Sequence, residues 1–178
     1  MSGPAAHCLH AVGEAFVAST ASVTGRVALG RDASLWYGVV VRGDDAAITI
    51  GARTNVQDGA VVHVDPGCPQ AIGSDVTIGH GALCHGVRIG DLALVGMGAI
   101  LLGGSKVGEG AIVAAGALVR EGQEVPPWTL VVGVPARVVR TLDPAERRLE
   151  AMAHAAGYVE RAREHATGRW PWERPAAP

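Results

Sequence analysis

Aliphatic residues recur every six positions through most of this chain, and few folds tolerate such a period. The series runs Leu29, Leu35 and Val41, then Ile50, Val56 and Val62, then Ile72, Ile78 and Cys84. After one five-residue step it resumes at Ile89, Val95, Leu101, Val107, Val113, Val119, Val125 and Val131. Six matches neither a helical period nor a simple alternation. It fits short strands joined by regular corners, three to a turn, with the aliphatic side chain inside. Glycine follows directly at Gly30, Gly51, Gly73, Gly79, Gly90, Gly96 and Gly108, which the pattern assigns to strained corners. With 25 glycines in 178 residues, a helical bundle is excluded, since each would cost roughly 1 kcal/mol inside a helix. A sandwich would space its turns irregularly, at about 8–12 residues. The chain is therefore expected to form an all-β parallel β-helix, its coils stacked at about 4.8 Å.

Two interruptions stand out. Extra residues fall around Gly43-Asp44-Asp45 and around Pro66-Gly67-Cys68-Pro69, and insertions in a solenoid map to loops, often on its functional side. After Val131 the period ends. Asp143, Pro144 and Glu146 supply a cap, a first-turn proline and an acid for a helix. Leu149, Met152, Ala156 and Val159 then form an apolar stripe expected to lie on the coil, with the charges solvated. The organisation expected is a β-helix domain over 1–142, a helix packed alongside over 143–168, and a tail over 169–178 that contains Trp170-Pro171-Trp172.

The 15 basic and 17 acidic residues leave a net charge of −2, with Lys106 the only lysine, so no nucleic-acid footprint is present. Cys8, Cys68 and Cys84 form no CxxC pair, and their odd number disfavours a disulfide framework. The longest apolar stretch, Leu92 to Gly104, is interrupted by glycines and falls short of the roughly 20 residues a membrane span needs. No signal peptide is recognisable, and a cytoplasmic location is expected.

Folding the chain onto three faces stacks particular polar residues. Arg42, His63 and His85 each directly follow an inward residue and lie one coil apart once the insertions are counted, so they form one outward ladder. Tyr37, Asp58 and His80 form a second, with Trp36 stacked on Gln57 beside it and Met97 and Leu102 above. These apolar side chains would be exposed on a monomer, which marks an interface. Two histidines one coil apart can converge on one metal ion. His80 lies around a corner from that pair and is poorly placed to join it within one chain; a neighbouring subunit could bring it in. Three histidines with an open fourth position are a catalytic pattern. His7, His10, His154 and His165 are read as playing no part, Cys84 as a core thiol, and Cys68 as at most a peripheral ligand.

At these residues the chain resembles the gamma-class carbonic anhydrases. The matching segments are Val41-Arg42-Gly43-Asp44, Gly51 to Gly59 with its Asn55-Val56-Gln57-Asp58-Gly59, Val61 to Val64, Thr77 to His80, Cys84-His85-Gly86 and Val95 to Gly98. The likeness spans roughly residues 20 to 160. It implies a left-handed β-helix assembled as a homotrimer, with zinc, or alternatively ferrous iron or cobalt, at each subunit interface. His63 and His85 of one chain and His80 of the next would bind the metal. Arg42 and Asp44 resemble the interface ion pair. Gln57 resembles the residue that orients metal-bound hydroxide, with Asn55 nearby, Asp58 in support, and Tyr158 as the helix tyrosine near the site. The implied reaction is reversible hydration of CO2 to bicarbonate. In place of an acidic loop with a glutamate, Val64 to Ala71 holds only Asp65. The alternatives are a metal site acting on another small acyl compound or thioester, a hexapeptide acyltransferase, for which Val132 to Ala136 is a shared segment, and a purely structural trimer.

Overall fold

A computed structural model describes residues 8–169 of the protein, and within it every aliphatic residue of the six-residue series except Leu29 is buried. Short parallel strands stack into three faces. The first carries Ala15–Ala18, Ser34–Leu35, Asn55–Val56, Thr77–Ile78, Leu94–Val95, Ile112–Val113 and Thr129–Val132. The second carries Val61–His63, Leu83–Cys84, Ile100–Leu101 and Leu118–Val119. The third carries Gln70–Ile72, Arg88–Ile89, Lys106–Val107 and Glu124–Val125. Register runs coil on coil, as in Val62 beside Cys84 and Cys84 beside Leu101. The interior is completed by a second inward position, two residues before the aliphatic one, filled by small residues such as Ala60, Val76, Ala82, Ala93, Ala99, Ala111 and Ala117. Antiparallel strands close both ends of the first face, Leu9–Val12 against Ala15–Ala18 and Arg137–Thr141 against Thr129–Val132.

The first insertion is not a loop. Val40–Ile50 runs as one strand across a corner, pairing Val40 to Arg42 with Val61–His63 on one side and Ile48 to Ile50 with Gln70–Ile72 on the other. The extra residues extend the backbone ladder, which Ser22–Leu29 continues below. The second insertion does project, with Asp65 to Pro69 exposed and its turn closed by Cys68 N–H donating to Asp65 O at 3.0 Å.

The glycines after the aliphatic positions also differ from expectation. Gly79 is not in the left-handed region; a Cβ there would stand 2.7 Å from Met97 N and 2.9 Å from Gly96 C of the next coil. Side chains are excluded because neighbouring backbones pass too close. The left-handed corner falls two residues further on, as at Gly81 with φ 66°, and Asp32, Arg53, Asp75, Leu92 and Trp128 occupy it elsewhere.

Helix α1, Pro144–Ala166, starts as the sequence predicts: the Asp143 carboxylate accepts from the backbone of Ala145 and Glu146 at 2.9 and 3.0 Å. It lies along the first face. Its buried side is Arg147, Ala151, Ala155, Val159 and Ala162, which keeps only Val159 of the predicted stripe. Leu149 and Met152 are 72% and 48% exposed, and Ala156 is exposed as well. Small side chains let the helix approach the coil closely, and Arg147 satisfies coil carbonyls that an apolar residue would orphan. Its guanidinium donates to Leu92 O at 2.8 Å and to Gly110 O at 3.2 Å, and burial pulls its pKa below the ordinary arginine value. The helix also covers Trp36, which is 5% exposed rather than displayed at an interface, with Tyr158 and His165 edge-on at 5.5 and 5.1 Å. Tyr37 Oη lies 2.8 Å from His165 Nδ1. Trp170-Pro171-Trp172 and His7 lie outside the described residues. Among those described, no helix is long and apolar enough to cross a membrane.

Candidate metal site

Both ladders form. Backbone pairing sets Arg42 beside His63, and the His63 and His85 rings meet edge-to-face with centroids 5.3 Å apart. His63 Nδ1 lies 3.0 Å from the Arg42 carbonyl. A carbonyl can only accept, so Nδ1 carries the proton and Nε2 keeps its lone pair outward. Around the corner, His80 Nδ1 sits 2.8 Å from Asp58 Oδ2, which leaves Nε2 as its free donor atom. A carboxylate behind an imidazole is the arrangement that orients histidine ligands and raises their basicity. Asp58 Oδ1 also accepts from the Tyr37 backbone N–H at 3.2 Å, which fixes the carboxylate in turn.

Two acids that the sequence reading did not assign face the histidine pair. Asp65 Oδ1 is 3.0 Å from His85 Nε2, and Asp45 Oδ2 is 3.5 Å from His63 Nε2. Asp45 belongs to the strand that crosses the corner and Asp65 to the projecting loop, so both insertions deliver a carboxylate to the same place. Only their position inside the insertions could have signalled this. Asp44 pairs with Arg42 of its own chain at 3.0 Å, and that hydrogen bond holds its carboxyl below the usual aspartate range. Asp44, Asp45 and His63 bring donor atoms within 4.8 Å of one another, and they are the only such trio among the described residues. His80 therefore does not meet His63 and His85 within one chain. Cys68 is exposed and joins no donor cluster, and Cys84 is fully buried with its thiol pushed up to about 12 by desolvation.

On the helix side of the same corner, a cavity of about 430 Å³ brings together Gln57, His80, Tyr158 and Met97, with His154 at its wall. Gln57 is held by its Nε2, which donates to Asn55 Oδ1 at 3.1 Å, and Asn55 is fully buried. Burial raises the Tyr158 pKa, against Arg161, whose guanidinium lies 5.2 Å from the ring centre. The chain thus carries two groups of candidate site residues on opposite sides of one corner. His63 and His85 form one; His80, Gln57 and Tyr158 form the other. Three imidazole nitrogens suit a zinc-like divalent ion, and His63, His80 and His85 can each offer Nε2 once two chains contribute.

The fold and the six-residue period define a hexapeptide-repeat protein, and residues 86–121 match the family described as bacterial transferase hexapeptide (six repeats). The chain is similar to a probable carbonic anhydrase of Methanocaldococcus jannaschii, 55% identical over 130 residues that cover 73% of this chain and 82% of that one. It is 43% identical to the mitochondrial gamma carbonic anhydrase 1 of Arabidopsis thaliana over 86% of this chain and 58% of that one. Among solved structures, a putative acetyltransferase of Bacillus cereus superposes with a TM-score of 0.83 at 39% identity, covering 88% of this chain and 90% of that one. The chain belongs to the gamma carbonic anhydrase-like family of hexapeptide-repeat proteins.

Proposed function

We propose that this protein hydrates CO2 reversibly at a divalent metal held between two copies of the chain in a homotrimer. The observation that carries the reading is the division of the donors: His63 and His85 stacked on one side of a corner, His80 beyond their reach on the other. The three histidines would hold the metal through Nε2, two from one protomer and one from its neighbour. Zinc is the first candidate, with iron or cobalt as alternatives. A metal at such a site lowers the pKa of a water molecule to about 7 and so supplies a nucleophile at neutral pH.

The chain's own residues would do the rest. Gln57 lines the cavity with Nε2 tied to Asn55, so its Oε1 would accept a hydrogen bond from the attacking water, aiming the water's lone pair at CO2. Leu94, Met97 and Ile112 give that cavity an apolar wall suited to an uncharged substrate. Asp65 and Asp45 lie 3.0 and 3.5 Å from the Nε2 atoms of His85 and His63 that would ligate the metal, so they would stand beside the ion and could pass a proton from the attacking water toward solvent. Arg42 and Asp44 are exposed on the flank that would meet the neighbour.

The test is complementation. His63→Ala and His80→Ala should each abolish metal retention. Co-expressed, the two variants should recover part of it, since one interface of a mixed trimer rejoins an intact His63/His85 pair to an intact His80. No recovery in demonstrably mixed trimers would refute the shared site. Stopped-flow CO2 hydration by the metal-loaded protein, run beside an acyl-transfer assay, decides between this reaction and the acetyl transfer for which the Bacillus cereus relative is named.

A further inference from the structure

His154 was read from the sequence as a bystander, and it is an exposed residue. Yet its ring ends a hydrogen-bond chain that leads to Gln57. His154 Nδ1 is 3.0 Å from Thr77 Oγ1. Thr77 Oγ1 in turn accepts from Asn55 Nδ2 at 3.0 Å, and Asn55 Oδ1 accepts from Gln57 Nε2 at 3.1 Å. Thr77 and Asn55 are buried, so each of their polar atoms needs its partner.

The direction of such a chain is set at its ends. An amide offers a donor on one side and an acceptor on the other, and a hydroxyl can serve either way. If Thr77 gave its proton to Asn55, both amides would turn over and Gln57 would show the cavity its Nε2 donors instead of Oε1. The Val76 carbonyl opposes that state, but its contact with Asn55 Nδ2, at 3.3 Å, is the longest in the network. His154 decides the matter more firmly. An unprotonated Nδ1 takes the Thr77 proton, commits Thr77 to accepting from Asn55, and so leaves Oε1 outward on Gln57. Burial, assisted by Arg161 and Arg147, lowers the His154 pKa and favours the neutral ring that this requires.

We propose that His154 is a positioning residue: through Thr77 and Asn55 it fixes which face of the Gln57 amide meets the attacking water. The inference rests on the reading of the site given above. An acceptor at Gln57 draws one water proton aside and leaves a lone pair free to attack. A donor there would occupy that lone pair instead.

The test uses the full-length protein with nitrogen-15 in its histidine and glutamine side chains. Long-range imidazole spectra should show His154 protonated at Nε2 and bare at Nδ1. The Gln57 amide protons should exchange slowly, because Nε2 is held inward. His154→Phe keeps a ring without the acceptor, and His154→Asn restores an acceptor at the same reach. Gln57 exchange should quicken in the first and return to within about twofold of wild type in the second. The CO2-hydration kcat should follow the same pattern, with a loss of about tenfold for His154→Phe, in the range seen when groups behind a site are removed, and little change in KM. Should His154→Phe fail to fold, Thr77→Val against Thr77→Ser makes the same comparison. A wild-type His154 protonated at Nδ1 would overturn the proposal, as would equal effects of the Phe and Asn variants. A wild-type protein with the expected spectra and exchange but no CO2 hydration would leave the positioning role standing and reject the reaction.

Discussion

The two glycines that flank His80 have different jobs, and substituting each by alanine separates them. At Gly79 a Cβ would meet Met97 N at 2.7 Å, Gly96 C at 2.9 Å and Val95 O at 3.0 Å. All three are backbone atoms of the next coil, so no side chain can rotate away and the coils themselves must part. Overpacking of this kind costs about 1–3 kcal/mol, and a rigid neighbour places Gly79→Ala at the upper end. At Gly81 nothing lies within 4 Å, but φ is 66°. The left-handed penalty of about 1–2 kcal/mol is offset by the ~0.4–1 kcal/mol that alanine gains through a less mobile unfolded chain. Gly81→Ala should therefore cost between about 0 and 1.6 kcal/mol. Asparagine, which tolerates that region, should cost less than alanine at position 81 and more at position 79. For a chain this long, 1 kcal/mol moves Tm by about 2–4 °C. Melts at fixed protein and metal concentration should then place Gly79→Ala several degrees below Gly81→Ala, since both metal and assembly would shift Tm. Equal melting points, or the same alanine-to-asparagine order at both positions, would refute the division between close approach and corner strain.

Asp58→Asn, which removes the carboxylate 2.8 Å from His80 Nδ1, should weaken metal retention about 10–100-fold in chelator competition while barely moving the Tm of the metal-free protein. Arg147→Met leaves the Leu92 and Gly110 carbonyls without their charged donor and should destabilise the protein by about 2–3 kcal/mol, read by urea titration and by faster protease cleavage within the helix. Cys84, buried and with its thiol pushed up to about 12, should resist alkylation at neutral pH until the protein unfolds, whereas exposed Cys68 should label at once; mass spectrometry of the labelled peptides decides it.

What the sequence could reveal is what depends on regular spacing. The six-residue period located the interior from Leu35 to Val131, and counting the insertions placed His63 beneath His85 and Asp58 beneath His80. Spacing is blind to distance across the coil. It could not distinguish a glycine that turns a corner from one that admits a neighbouring backbone, and Gly79 was placed in the wrong class. Nor could it show that Gly43, Asp44 and Asp45 extend a strand. The buried face of the helix, Val159 aside, was misjudged for a related reason. Hydrophobicity selects Leu149 and Met152, but the surface beneath the helix is a tight wall of coil with carbonyls to satisfy, which favours alanines and Arg147. His154 escaped notice because its importance lies in a proton's direction, and nothing in residue spacing encodes that.

If the metal binds between chains as proposed, placing the histidines on opposite sides of one corner would make metal content a count of closed contacts. An isolated chain would hold none, an open pair would hold one ion between two chains, and only a ring that closes on itself would reach one per chain. Ions per chain, measured across a dilution series, would then read how many rings have opened. An agent that loosens a single contact would release one equivalent at a time, and an agent that strips the metal would loosen the ring in return.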